Sequence, residues 1–268
     1  MNRRRLLGLS ALALAAASRP AAALSLFRWQ EDYPLLIGGA SSMLPLTRAL
    51  VAGFLARRDD VDVVATGGGS DAGLMALKRG AIDLAAMAGD LSGTQDEACV
   101  HNYLLARDAA VAVVHPDNPL TALPTAAMAA LFTGRLTDWR DLGAPAAPVE
   151  VVVRRNDPLL DLLLQGADPT DDALSLPETR DVAALVLSNR HAIGCLPLKA
   201  ATPPLRALAA DGVTARRETV FSGRYPLLRS YYYVLCDNGA QAAIDFVAFA
   251  IGPEGRRIVD ATGLWPMF

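Results

Sequence analysis

The chain has 268 residues, 52% of them hydrophobic, and a mean hydropathy of +0.27, so it can bury a sizeable core and is not a disordered segment. Its 28 Asp and Glu outnumber 25 Lys and Arg, a balance that argues against a nucleic-acid-binding surface. Cys99, Cys195 and Cys236 are an odd number at wide spacing, so a disulfide framework is not expected and at least one thiol is left over; His101, His115 and His191 are scattered, so neither a metal site nor a cofactor is expected.

The N-terminal stretch MNRRRLLGLSALALAAASRPAAA places Arg3, Arg4 and Arg5 before an apolar run that closes in Ala21-Ala22-Ala23. Residues 1–23 therefore read as a secretory signal with an A-x-A cleavage site, too short for a membrane span. Arg3-Arg4-Arg5-Leu6-Leu7 also resembles a twin-arginine signal, from which Asn2 and Gly8 depart, so both export routes stay open. Cleavage after Ala23 removes four arginines and no acid from the 25 basic and 28 acidic residues, leaving 21 against 28, a net of −7. No later apolar segment is long enough to cross a bilayer, so the mature chain is expected to be periplasmic and not membrane-spanning.

After this leader, LLIGG (35–39) reads as a strand entering a turn, PLTRALVAGFLARR (45–58) as a helix and VDVVAT (61–66) as a strand. SDAGLMALKRG (70–80) is a helix stopped by Gly80, and IDLAAM is the next strand. The resulting βαβαβ order implies a parallel sheet flanked by helices. AAVAVVHP (109–116) is an apolar strand stopped by Pro116, and TAAMAALFTG (125–134) is a helix with Thr125 placed to cap it. VEVVVRR (149–155), a helix from about Pro158 to Gln165, and AIGCLPL (192–198) repeat the alternation as a second lobe. YPLLRSYYYVLC (225–236) is extended, its tyrosines alternating between faces, and 240–263 reads as one long helix. The expected organisation is a lobe of residues 26–106 plus 221–268, with 107–220 inserted as the other and a cleft between. GGGSDAG (67–73) is a glycine-rich turn opening a helix, a local pattern that aims backbone N–H groups at an anion.

Four passages together resemble the phosphate-binding periplasmic proteins of ABC importers, the PstS-like solute-binding group. IGGASSMLPLTRAL resembles the family's opening turn, and GGGSDAGLMALKRGAIDLAAM its second anion loop, helix and Gly-x-x-Asp strand. DAAVAVVHPDNPLTALPTAAMAALFTGRLTDWRDLG is similar to its strand, Asn-Pro turn, helix and F-x-G-x-x-x-x-W segment. HAIGCLPL, YPLLRSYYYVL and FVAFAIGPEGRRIVDATGLWP resemble its closing pieces. The resemblance implies an α/β, two-lobed type II periplasmic-binding-protein fold, each lobe a mixed, mainly parallel sheet flanked by helices. It also implies a non-enzymatic role: capture of a small inorganic oxyanion, phosphate or a relative, for delivery to an ABC permease.

Carried over residue by residue, the family's first-turn hydroxyls fall on Ser41 and Ser42 and its second-loop serine on Ser70, next to Asp71. The alternative for these hydroxyls is plain helix capping. At the lip of the cleft, Ser70 is expected to matter for affinity and little for stability. Two departures stand out. The family's aspartate that accepts a proton from phosphate falls on Ala88, so weak discrimination against sulfate is expected, with Asp71, Asp90 and Asp157 as candidate replacements. The third anion loop, an arginine followed by Ser-Gly-Thr, is here Arg154-Arg155-Asn156-Asp157-Pro158-Leu159-Leu160, which keeps Arg154 or Arg155 as charge partner and lacks the hydroxyls.

These losses support an alternative, a diverged PstS-like interaction or sensor module with an altered ligand or none. Gly68-Gly69-Ser70-Asp71-Ala72 fails the G-x-S-x-G pattern of an esterase because Ala72 occupies the last glycine position.

Overall fold

A computed structural model describes residues 33–89, 100–237 and 239–268. The expected signal at 1–23, Asp90 and Cys99 lie outside the described residues. Strand β1 (Leu35–Gly39) leads through a 3-10 turn (Ser41–Met43) into α1 (Leu44–Leu55). Then follow β2 (Val63–Gly67), α2 (Ser70–Lys78) and β3 (Leu84–Ala88), the βαβαβ order read from the sequence. The three strands are parallel, with β1 between β2 and β3.

Strand β4 (Val100–Val114) is 15 residues long, about 50 Å of extended chain, and joins two halves of one sheet. The sequence shows only its apolar second part, because the first part carries His101, Asn102, Arg107 and Asp108. Beyond it lie β5 (Ala122–Leu123), α3 (Thr125–Phe132), β6 (Glu150–Arg154), α4 (Leu160–Leu164), β7 (Leu174–Leu176) and α5 (Thr179–Ser188). The segment continues with β8 (Ala192–Pro197), β9 (Arg206–Ala207), β10 (Ala209–Ala210) and α6 (Arg217–Phe221). Strand β11 (Leu228–Cys236) returns antiparallel between β3 and β4, followed by α7 (Gln241–Ile251), α8 (Pro253–Ala261) and β12 (Trp265–Pro266). The main sheet order is β2-β1-β3-β11-β4-β8-β6-β7, with β9 and β12 also pairing β4.

Period-two alternation places a core on each face of the sheet. On β4, Val111 and Val113 pack with Val152, Val182 and Val186, while Ala110, Ala112 and Val114 face Met128, Phe132, Leu163 and Ile193. In the other half Ile37, Met43, Leu50, Phe54, Leu84, Tyr233 and Phe246 share one cluster. Phe54 of α1 meets Phe246 of α7 edge-on, ring centroids 5.3 Å apart, so the C-terminal helices pack on the first half of the sheet. Tyr231 and Tyr233 face this cluster and Tyr232 the opposite face, the alternation expected of the tyrosine run.

Two local expectations are corrected. The helix read across 240–263 is two helices, because Gly252 is extended and Pro253 opens α8. Proline lacks the N–H for the continuing ladder, and its ring disfavours α geometry at the preceding residue. Thr125 does not cap α3. Pro124 stands at the cap, while the Thr125 N–H and hydroxyl both donate to the Asp211 carboxylate at 2.9 Å.

Candidate functional site

The parallel strands β1, β2 and β3 end side by side, and the first turn is closed by backbone contact. Gly39 has φ +142°, and a Cβ there would sit 2.0 Å from the Ala86 carbonyl oxygen, so only glycine lets the strand ends approach this closely. The Ala40 N–H donates to that same carbonyl at 2.7 Å, and Gly69 N–H donates to Gly39 O at 3.0 Å, which ties the second turn to the first. A Cβ on Gly67 would meet the Ser41 hydroxyl at 2.7 Å, so Ser41 lies over the turn that leads to Ser70. Gly69 has φ +97° with open space around its Cβ position, which leaves the amides opening α2 accessible.

The serines divide into two kinds. No hydrogen bond to the Ser41 or Ser42 hydroxyl is formed among the described residues, and neither caps a helix. Ser70 also makes no cap: its hydroxyl donates to Ala88 O and accepts from Ala88 N–H, both at 3.1 Å. That bridge pins the start of α2 to the end of β3 and commits the hydroxyl's one proton, so Ser70 carries more structure than a cleft-lip residue. Asp71 is exposed in the first turn of α2. Asp83, at the start of the neighbouring strand, accepts from Leu36 N–H at 2.8 Å.

In the other half, Arg154 is the last residue of β6 and Arg155 follows it. Arg154 lines a cavity of about 400 Å³ together with Asp108, Thr179, Lys199 and Tyr231. Arg155 is exposed and lines a second hollow along the 153–161 turn, which Arg154 also borders. Arg154 Nη2 donates to Asp157 Oδ1 at 2.9 Å, and that buried oxygen also accepts from Leu159 N–H at 3.1 Å. The Asn156–Leu160 turn thus closes on itself through Asp157, and the pairing leaves Arg154 Nε buried without a partner among the described residues. Pro158 precedes α4, which starts only at Leu160, shorter than the expected helix.

The two sets of residues are neighbours. Ala88, held by Ser70, pairs with Tyr231 of β11, and Tyr231 pairs with Ala106 of β4. At the usual inter-strand spacing the serine loops and the cavity are about 10 Å apart along the sheet. Ser41, Ser42 and Ser70 therefore gather at one turn pair, Arg154 stands at the neighbouring cavity, Asp71 is exposed in the first turn of α2, and Arg155 lines the hollow that Arg154 also borders.

The sequence reading missed the most unusual group in the cavity. Asp108, on the crossing strand, is only 4% exposed. Its Oδ1 accepts from its neighbour's N–H, Ala109, at 2.8 Å, and Leu198 N–H also bonds the carboxylate. Burial pushes Asp108 up to about 7, opposed by these two backbone bonds, reinforced by the nearby Asp157 charge and eased by Lys199. The available signal was a lone acid opening an apolar strand, a residue type that is seldom fully buried. Tyr231 beside it is pushed up to about 12, chiefly by burial and then by the Asp108 charge. Lys199 donates to Asp260 Oδ1 at 2.7 Å and lies over the Trp265 ring, 4.9 Å from its centroid, so it ties the end of β8 to the C-terminal segment.

Comparison with known proteins agrees with this architecture. Residues 15–254 match the model of the PBP superfamily domain. The phosphate-binding protein PstS of Bacillus subtilis is 27% identical over 202 residues, covering 72% of this chain and 67% of its own. A solved ABC-type phosphate transport receptor from Vibrio cholerae superposes with a TM-score of 0.71 at 22% identity, covering 86% of this chain and 99% of that one. A Clostridium perfringens structure described as a phosphate ABC transporter substrate-binding protein with bound phosphate gives 0.58 at 25% identity, covering 87% and 99%. The fold is the two-lobed type II periplasmic-binding-protein fold, and no helix among the described residues is long and apolar enough to cross a membrane. The chain belongs to the PBP superfamily and is similar to the phosphate-binding protein PstS.

Proposed function

We propose that the protein captures a small inorganic oxyanion, phosphate or a relative, in a cleft between lobes 26–106 plus 221–268 and 107–220, for delivery to an ABC permease. The observation that carries this is the Ser41 hydroxyl lying over Gly67 beside the open Gly68-Gly69-Ser70 turn, where three parallel strands end. Backbone amides of both turns and the hydroxyls of Ser41 and Ser42 are the donors, at helix N-termini whose dipoles favour negative charge. Arg154 is the charge partner from the other lobe, while Ser70 shapes the turn and contributes its backbone N–H. Closure about β4 and β11, the two strands that join the halves, would bring the sets together. The phosphate bound to the Clostridium perfringens relative supports the ligand class, and the names of the Bacillus subtilis and Vibrio cholerae relatives support the transport role. A periplasmic location follows if the leader at 1–23 is cleaved on export.

A second reading, an interaction or sensor module, is favoured by one observation: the Asn156–Leu160 turn spends its polar groups on the Arg154–Asp157 pair. Titration calorimetry of the mature chain with phosphate separates the two. Saturable one-site binding that weakens tenfold or more in S41A/S42A supports capture, whereas heat-silent titrations with phosphate and sulfate support the module.

A further inference from the structure

The cavity of about 400 Å³ beside Arg154 offers more room than an inorganic ion fills. Its volume lies in the range of pockets that take small organic ligands, about 300–1,000 Å³. Leu159, Pro197, Ala200 and Leu264 line it with apolar surface, which a hydrocarbon segment uses and a tetrahedral ion does not. Asp108 is the one acid among the described residues lining it, 4% exposed and fixed by the backbone N–H groups of Ala109 and Leu198.

No cation pairs with that carboxyl among the described residues, because each positive group near it is committed elsewhere. Arg154 donates to Asp157, and Lys199 to Asp260. Arg107, its neighbour on β4, donates to the carbonyls of Val220 and Phe221 and to Ser230 Oγ. Arg229, the cross-strand partner of Asp108 on β11, is hydrogen-bonded to the side chain of Tyr231. Arg154 and Lys199 thus stand against three carboxylates, Asp108, Asp157 and Asp260, a surplus of one negative charge when all are ionised. Burying a carboxyl without a paired cation costs stability, so such a group in a cleft is a candidate for function.

The surplus decides what the cavity can hold beside a captured anion. A second negative charge is repelled there, whereas an ammonium group donates to Asp108 and completes the missing ion pair. Thr179 and Tyr231, which also line the cavity, carry hydroxyl oxygens that can accept its remaining N–H groups. Asp108 lies two residues beyond Ala106 and so on the same face of β4; Ala106 pairs with Tyr231, whose other neighbour is Ala88 at the serine turns. The separation of about 10 Å is what an oxyanion and an ammonium on a two- or three-carbon linker span, with hydrogen bonds of about 2.8–3 Å at each end.

Resting on the anion-capture reading, we propose that the cleft takes a zwitterion: a phosphorus oxyanion held at the serine turns and joined by a short alkyl linker to a primary ammonium that pairs with Asp108. Aminoalkyl phosphonates and the phosphate monoesters of amino alcohols share this chemistry. The apolar walls cover the linker, and the amine supplies the cation that the fold omits.

The test is calorimetry of the mature chain at pH 8.5, where Asp108, pushed up to about 7, is ionised and an alkyl amine, about 10.4 for lysine, is still charged. The titrants are 2-aminoethylphosphonate and O-phosphoethanolamine, their amine-free counterparts ethylphosphonate and ethyl phosphate, and inorganic phosphate. At least one amine is expected to bind tenfold or more tighter than its counterpart, and the pair that shows this identifies the source as phosphonate or ester. D108N is expected to reduce that advantage to threefold or less. If D108N does not fold, the wild-type comparison of amine with amine-free ligand decides alone. Equal or weaker binding of both amines, or an advantage that survives in D108N, overturns the pairing and, with phosphate still bound, leaves capture standing. Failure of every titrant, inorganic phosphate included, overturns capture itself and the zwitterion reading with it.

Discussion

Replacing Ser70 by alanine separates the structural share of the glycine-rich turn from its share in binding. The hydroxyl bridges Ala88 N–H and Ala88 O at 3.1 Å, partly buried, between the start of α2 and the end of β3. At about 0.5–1.5 kcal/mol net per hydrogen bond, S70A is expected to lose about 1–3 kcal/mol. With a urea slope of about 2–3 kcal/mol/M, the midpoint should fall by about 0.3–1.5 M. S41A is the internal control, since the Ser41 hydroxyl makes no hydrogen bond among the described residues; its stability should change by less than about 0.5 kcal/mol. The assay is urea unfolding of wild type, S70A and S41A, followed by both tryptophan fluorescence and far-UV circular dichroism so that coincident transitions license the two-state treatment. An S70A midpoint equal to wild type, or an equal loss in S41A, would refute the bridging role and return Ser70 to the cleft lip.

Two further outcomes follow from the buried groups. Because the folded state raises Asp108 from 3.8 to about 7, its contribution to stability is full at and below pH 3.8 and is lost as pH rises through about 7. Wild type minus D108N, from denaturant melts at pH 4 and pH 8, should therefore decline with pH by up to about 4 kcal/mol, and a flat difference would mean the carboxyl is hydrated. The Cys195 thiol is pushed far up by burial, with Asp157 and Asp108 adding to it, so in a C99S/C236S background it should resist a thiol reagent until denaturant is added; labelling at the rate of an exposed thiol would contradict its packing.

Elements bounded by strong local punctuation were legible in the sequence. Strand β1 appears at its full extent because glycines end its apolar run, and α2 stops near Gly80, whose φ of +67° suits a left-handed cap position. The break between α7 and α8 was also written locally, as Gly252-Pro253, but the apolar periodicity on both sides masked it. The first part of β4 was not legible, since its polar residues owe their strand geometry to pairing with β11, far along the chain. The same non-locality hid the site. Arg154, Ser41 and Ser42 are proposed from residue type and position, whereas the burial of Asp108 depends on Leu198 and Tyr231, which nothing near Asp108 announces. Ser70 was found for its position, but its engagement with Ala88 depends on strand packing and not on the glycine-rich pattern.

The central claim is that one anion sits between the serine turns and Arg154, and a crystal structure of the mature chain grown with phosphate tests it most directly. The account predicts tetrahedral density touching the backbone of the 40–42 and 68–70 turns, the Ser41 hydroxyl and Arg154. An empty cleft at phosphate concentrations that saturate the calorimetric signal, or density held by other residues alone, would contradict it.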